Sequence, residues 1–162
     1  MYATVEQANT YIGNYYSSTD SLRIAWEALE NSDKQVLLNR AEQTIDLLPY
    51  NGKPVHKDKA FPRKPNEKYS LQMAQVATIE LAVQQFNTEA KERFELQAQG
   101  VKAYKIGDLS ETFGNGQGAS GYSGIDEYSF SIVFPYLKDW LGGGYEICPT
   151  HIKRCCGRHV IK

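Results

Sequence analysis

The densest set of chemistry-bearing residues lies at the end of the chain. Cys148, His151, Cys155, Cys156 and His159 place five potential zinc ligands within twelve residues. The gaps of two or three residues between Cys148, His151, Cys155 and His159 suit a tetrahedral Zn²⁺, which takes thiolate and imidazole donors. Short zinc modules usually separate two ligand pairs by about a dozen residues, so that the metal nucleates the turn between them. Here the pairs are nearly contiguous. The reading adopted is therefore an extended tail in which the cysteines act as small apolar groups, and no cofactor is expected.

Other chemistries have weaker support. Gly116-Gln-Gly118-Ala-Ser-Gly121 matches the dinucleotide string GxGxxG, but that chemistry needs a buried strand before it and a helix opening after it. Ser110-Glu-Thr-Phe113 is polar and no helix opens at Ala119, so residues 114–124 read as a mobile Gly-rich loop. A P-loop string is missing from the sequence. His56, His151 and His159 are the only histidines, and neither a GxSxG elbow nor an HExxH helix accompanies them. Asp126 and Glu127 are adjacent and read as a solvated loop. These features predict a protein that is not an enzyme. Lys57, Lys59, Arg63, Lys64 and Lys68 cluster between residues 49 and 68, where Asp58 and Glu67 dilute them. Nucleic-acid binding wants such charges on one face with aromatics between them, and a solvated loop is the simpler expectation.

With 162 residues the chain is long enough to bury a real core. Its net charge is −1, so no global pull toward nucleic acid or anionic membrane exists. The distribution is uneven, because residues 148–162 carry Lys153, Arg154, Arg158 and Lys162 and no acid. The opening residues lack the basic start and apolar run of a secretion signal. An odd number of clustered cysteines then implies reduced thiols in a cytosolic setting. No stretch is long and apolar enough for a membrane span.

The element around which the rest is built is Tyr69–Phe86. Its apolar residues, Leu71, Met73, Val76, Ile79, Leu81, Val83 and Phe86, spread around most of a helical wheel, which predicts a helix packed on several sides. Ahead of it, Thr4-Val-Glu-Gln7 and Ser32-Asp-Lys-Gln35 are capping-box patterns. The first opens a helix with Ala8, Tyr11, Ile12 and Tyr15 on one face. The second opens one with Leu37, Ala41, Ile45 and Leu48. A short helix around Leu22–Leu29 carries Ile24 and Trp26. Ala60, Phe61 and Pro62 anchor the Pro- and Lys-rich loop at 49–68. After the central helix come a polar helix, Glu89–Gln99, and extended chain or a loose hairpin about Gly107-Asp108. A last helix spans Ser129–Leu141, with Pro135 either starting or kinking it.

The fold class expected is mainly α: a small helical bundle around one central buried helix, an extended loop or hairpin at 101–124, and an extended tail. Residues 1–141 form the body, and Gly142-Gly-Gly144 is a hinge to a basic tail over 142–162. In that tail Tyr145, Ile147, Ile152, Val160 and Ile161 have no expected local strand or helix partner. Together with Arg154, Arg158 and Lys162 they are the candidate partner-binding residues, docking by strand addition or into a groove.

The order of these features resembles a known family. The capped first helix, the Trp26 segment, Ala60-Phe-Pro-Arg63 ahead of an apolar helix, Gly100-Val-Lys102, Gly107-Asp-Leu-Ser110 and a late Pro135-Tyr-Leu137 helix are similar to the head-tail connector proteins of tailed phages. Those are also called adaptor or head-completion proteins, and the pattern is sometimes labelled DnaT-like. The resemblance implies a homo-oligomeric ring, usually twelve-fold, under a portal protein in the virion neck, assembled in the host cytoplasm. Such a ring meets the next neck or tail-completion protein and passes double-stranded DNA without reading its sequence. Two alternatives stand beside it: a DNA-binding protein of primosomal DnaT-like type, and a small zinc-stabilised regulator.

Overall fold

Thr4 opens the first helix as its sequence pattern predicts. The Thr4 hydroxyl accepts a hydrogen bond from the Gln7 N–H at 3.3 Å, and the Gln7 side chain accepts one from the Thr4 N–H at 2.9 Å. Two donors that the helix leaves unpaired are thereby satisfied. The computed structural model describes residues 1–98, 103–106, 109–112, 125, 127–142, 145–148 and 151–154. Within them the helices are α1 (Val5–Tyr15), α2 (Ser21–Glu27), α3 (Asn31–Asp46), α4 (Glu67–Gln84), α5 (Thr88–Ala98) and α6 (Glu127–Leu137). Strands β1 (Ala103–Ile106) and β2 (Leu109–Thr112) form one antiparallel hairpin, and β3 (Tyr145–Cys148) and β4 (His151–Arg154) form a second. The fold is mainly α. No helix among the described residues is long and apolar enough to cross a membrane.

The bundle packs α3, α6 and α2 around α4. Small residues make this possible: Ser70, Ala74, Ala77, Thr78 and Ala82 are fully buried, so neighbouring backbones approach closely while Ile79, Leu81 and Val83 fill the remaining volume. The multi-sided burial expected of this helix holds over its C-terminal half. Up to its middle the helix opens to solvent on one side, where Val76 is only half-buried and Leu71 is exposed.

Three local expectations need correction. The second capping box does not form: α3 begins at Asn31, with Glu30 at the cap position and no side-chain cap bond. The Glu30 carbonyl already accepts from the Lys34 N–H at 3.0 Å, so winding starts before Ser32. Tyr15 and Ile24, read as core-facing, are exposed, because α1 ends at Tyr15 and α2 is only two turns long. The Trp26 of α2 is fully buried, and its indole N–H donates to Asn9 Oδ1 at 2.8 Å.

Pro135 lies inside α6, in its last turn. Beyond the helix the chain is stitched to the start of the 49–68 loop. The Asn51 N–H donates to the Trp140 carbonyl (2.7 Å), the Asn51 amide to the Leu141 carbonyl (3.1 Å), and the Gly142 N–H to the Pro49 carbonyl (2.8 Å). A Cβ on Gly142 would sit 3.3 Å from Asn51 Oδ1 and 3.4 Å from the Pro49 oxygen. Gly142 is thus a tightly packed end of the body instead of the first residue of a hinge. Gly143 and Gly144 lie outside the described residues.

Candidate nucleic-acid interface

The segment between α3 and α4 has no helix of its own and is held in shape by Arg63. This side chain is 5% exposed. Its Nε donates to the Asn51 carbonyl (2.9 Å), Nη1 to the Ala60 carbonyl (2.9 Å) and Nη2 to the Gly52 carbonyl (2.6 Å). The guanidinium also lies 5.3 Å from the centroid of the Tyr50 ring. Gly52 adopts φ 78°, a left-handed conformation that favours glycine and turns its carbonyl toward Arg63. The Lys64 N–H donates to the Lys53 carbonyl (3.3 Å) and the Val55 N–H to the Pro62 carbonyl (2.9 Å), which draws the two arms of the loop together. Phe61-Pro62 and Lys64-Pro65 are cis. Phe61 is the apolar anchor expected from the sequence, 1% exposed and in edge contact with Tyr2, Tyr50 and Trp140.

A second knot fixes the loop to α3. Lys59 pairs with Glu42 and, at 3.4 Å, with Asp46, while Asp46 accepts from the Ala60 N–H at 3.0 Å and from the Tyr2 hydroxyl. Glu42 also accepts from the Tyr2 N–H at 3.0 Å and meets the Met1 ammonium at 3.2 Å. Burial opposes the Glu42 charge, but Lys59, the Tyr2 N–H and the ammonium outweigh it and hold the carboxyl below its usual range. The hydrogen bond to Glu42 correspondingly raises Lys59.

Of the loop's basic residues, Lys59 and Arg63 are therefore consumed by the fold. Lys53, Lys57, Lys64 and Lys68 are exposed and have no ion-pair partner among the described residues. Tyr69, in the first turn of α4, is 48% exposed and lies against Trp140 with ring centroids 5.6 Å apart. The loop and the first turn of α4 thus carry solvated cations close in sequence to one accessible aromatic ring, two features that single-stranded nucleic acid uses.

Elsewhere a groove of about 480 Å³ runs between α1 and α4, with Tyr11, Tyr15, Val76 and Ile79 among its lining residues. Near it Glu80 takes hydrogen bonds from the Tyr11 and Tyr16 hydroxyls at 2.7 and 2.6 Å. Burial, then the Glu80 contact, pushes both phenols up, and both stay neutral donors.

The residues singled out in the tail fare unevenly. Cys148 and His151 are register partners across the β3–β4 hairpin, as are Ile147 and Ile152, and Tyr145 and Arg154. Tyr145, Ile147 and Ile152 therefore do have strand partners, contrary to the unpaired tail expected. The run was too short, and too interrupted by Pro149, to show its alternation. Cys155, Arg158, His159, Val160, Ile161 and Lys162 lie outside the described residues, as do Asp126 and the 113–124 loop. The described residues contain no cluster of three or more potential metal ligands. His56 is exposed in the basic loop. Charge alone places Arg63 in the basic cluster, and the burial that removes it from the solvated set depends on carbonyls eleven and twelve positions away. Tyr69 was read as part of the core helix; the polar Asn66-Glu-Lys68 before it was the available signal that this turn faces solvent.

The fold and this loop define a small, mainly α body carrying a solvated basic projection. The chain matches, over residues 1–155, the family described as "Putative DnaT-like ssDNA binding protein", and it belongs to that family. The match runs past Gly142 and includes β3 and β4. It agrees with the DnaT-like label of the resemblance and does not bear on the head-tail connector label. No curated protein matches significantly, and no solved structure does.

Proposed function

We propose that the protein binds single-stranded nucleic acid, with the loop between α3 and α4 as its contact surface. Charge segregation carries this reading. Residues 53–68 hold six basic side chains against Asp58 and Glu67, and the four that the fold does not use have no ion-pair partner among the described residues. Family membership supports the same reading. Binding of this kind displaces counterions, so affinity for a labelled oligothymidylate should fall with salt, with a log–log slope of about −0.7 per phosphate contacted. Lys64→Ala and Lys68→Ala should each weaken binding and flatten that slope by roughly 0.7. Affinity that is absent at low ionic strength, or indifferent to salt, overturns the proposal.

A second reading rests on the α1–α4 groove and on the connector-like order of sequence features. Tyr15 is 73% exposed on the groove wall, stacked on Tyr11 at 4.5 Å, and an exposed aromatic wall above Val76 and Ile79 fits a helix from a second copy. In this reading the copies form a ring beneath a portal protein in a virion neck, joined to the next neck protein and passing double-stranded DNA. Mass photometry of the protein alone and with a portal tests it: Tyr15→Asp should dissolve the assembly, and a wild-type protein that stays monomeric and ignores the portal overturns it. Neither reading invokes catalysis.

A further inference from the structure

We infer that Tyr69 is a stacking platform for a base of the bound strand, with Lys64 and Lys68 meeting the phosphates on either side. The inference rests on the nucleic-acid reading above and names where in the loop a base is received. Three observations converge on this ring. It is the aromatic of the 49–69 segment that remains accessible: Phe61 is buried and Tyr50 is half-buried with its hydroxyl donating to the Ile45 carbonyl at 2.9 Å. The Tyr69 hydroxyl has no hydrogen bond among the described residues, so no polar partner explains its position. One side of the ring is backed by Trp140, 8% exposed, at 5.6 Å and 47°. Trp140 is itself braced by Phe61 at 5.8 Å and 88°, and Phe61 by Tyr50 at 4.8 Å.

That ladder fixes the platform before any ligand arrives. An aromatic side chain has two soft torsions, and one already held by a packed neighbour loses little freedom when a base covers it. Every base has a π face, so such a ring gives affinity without sequence preference. Exposed Lys68, its immediate neighbour, and exposed Lys64 at the neck of the loop select an anionic ligand over an apolar one. An uncharged partner would leave both lysines beside a dry interface. A strand with one phosphate per base supplies both chemistries at once.

The test compares the full chain and its Tyr69 variants on two probes, an oligothymidylate and an abasic oligodeoxyribose phosphate of equal length. Wild type should prefer the oligothymidylate. Tyr69→Phe should bind like wild type, whereas Tyr69→Leu, which keeps apolar contact with Trp140, should bind it roughly ten- to hundredfold more weakly. The salt slope should be unchanged, because no phosphate contact is lost, and the preference over the abasic strand should vanish. If wild type binds neither probe, the nucleic-acid reading falls and this one with it. If wild type binds both probes equally, or Tyr69→Leu matches wild type, the platform is refuted while the basic-loop reading stands. Equal wild-type affinity for the two probes refutes the platform even where a variant fails to fold.

Discussion

Arg63 and Glu42 show what a residue type in a sequence does not disclose. Arg63 reads as one charge of a solvated loop and Glu42 belongs to no motif, yet they are 5% and 4% exposed. Each is buried with every side-chain nitrogen or oxygen hydrogen-bonded or ion-paired, the condition under which a charge can leave water. Their partners are backbone groups and side chains from distant positions, which no local pattern encodes. Glu42 carries a testable consequence. Its folded pKa lies below the ordinary carboxylate value, so its contribution to stability is fully present above about pH 4.3 and is lost as pH falls through the folded value. Urea midpoints measured from about pH 6 to about pH 3 should therefore decline in wild type. Glu42→Gln should be less stable by roughly 1 kcal/mol at neutral pH, because a neutral amide replaces the buried carboxylate while the part-exposed Lys59 keeps Asp46 as a partner. Its acid decline should be shallower. Parallel pH profiles for the two proteins would show that Glu42 is not a source of the acid sensitivity.

At the scale of elements, what the sequence made legible was what periodicity and capping control. The Thr4 box, the central position of α4, the Phe61 anchor and the hairpin about Gly107-Asp108 all follow from such local rules. The start of α3, the pinning of Gly142 and the pairing of β3 with β4 depend on contacts made elsewhere in the chain. The candidate interface was half legible: its charge was visible, but which lysines stay free was not. Even α4 departs from its wheel, because the same apolar residue type faces core at Val83 and a groove at Val76. This gives a paired prediction. Val83→Ala removes two methyl carbons from a fully buried site and should cost about 1–3 kcal/mol, whereas Val76→Ala, half-buried at the groove, should cost under about 1 kcal/mol. Chemical denaturation of the two variants checks it, and equal costs would mean that the α1–α4 groove is closed in solution.

For the whole molecule, charge separates into an acidic body and two basic regions, the α3–α4 loop and the residues beyond Gly142. The chain up to residue 147 carries five more acidic than basic side chains, and the remainder carries four basic and no acidic ones. In the proposed strand-binding role, a net acidic body would disfavour contact outside those two regions and so orient the encounter. The same separation would also let the tail of one copy reach the body of another. Truncation after Gly142 distinguishes these roles. The stitch from Gly142 to Pro49 is retained, so the shortened protein should melt like the full chain. If the tail is a second strand-binding region, its loss should flatten the salt slope for oligothymidylate by roughly 2–3, at about 0.7 per cation removed. If the tail docks onto protein, as its apolar and basic residues suggest from the sequence, oligothymidylate binding should be unchanged while association with other copies or with a portal is lost. Because the four exposed lysines of the loop remain in the truncated protein, we expect it to bind the strand still, with a reduced slope. Complete loss of binding in a folded truncated protein would move the interface from the loop to the tail.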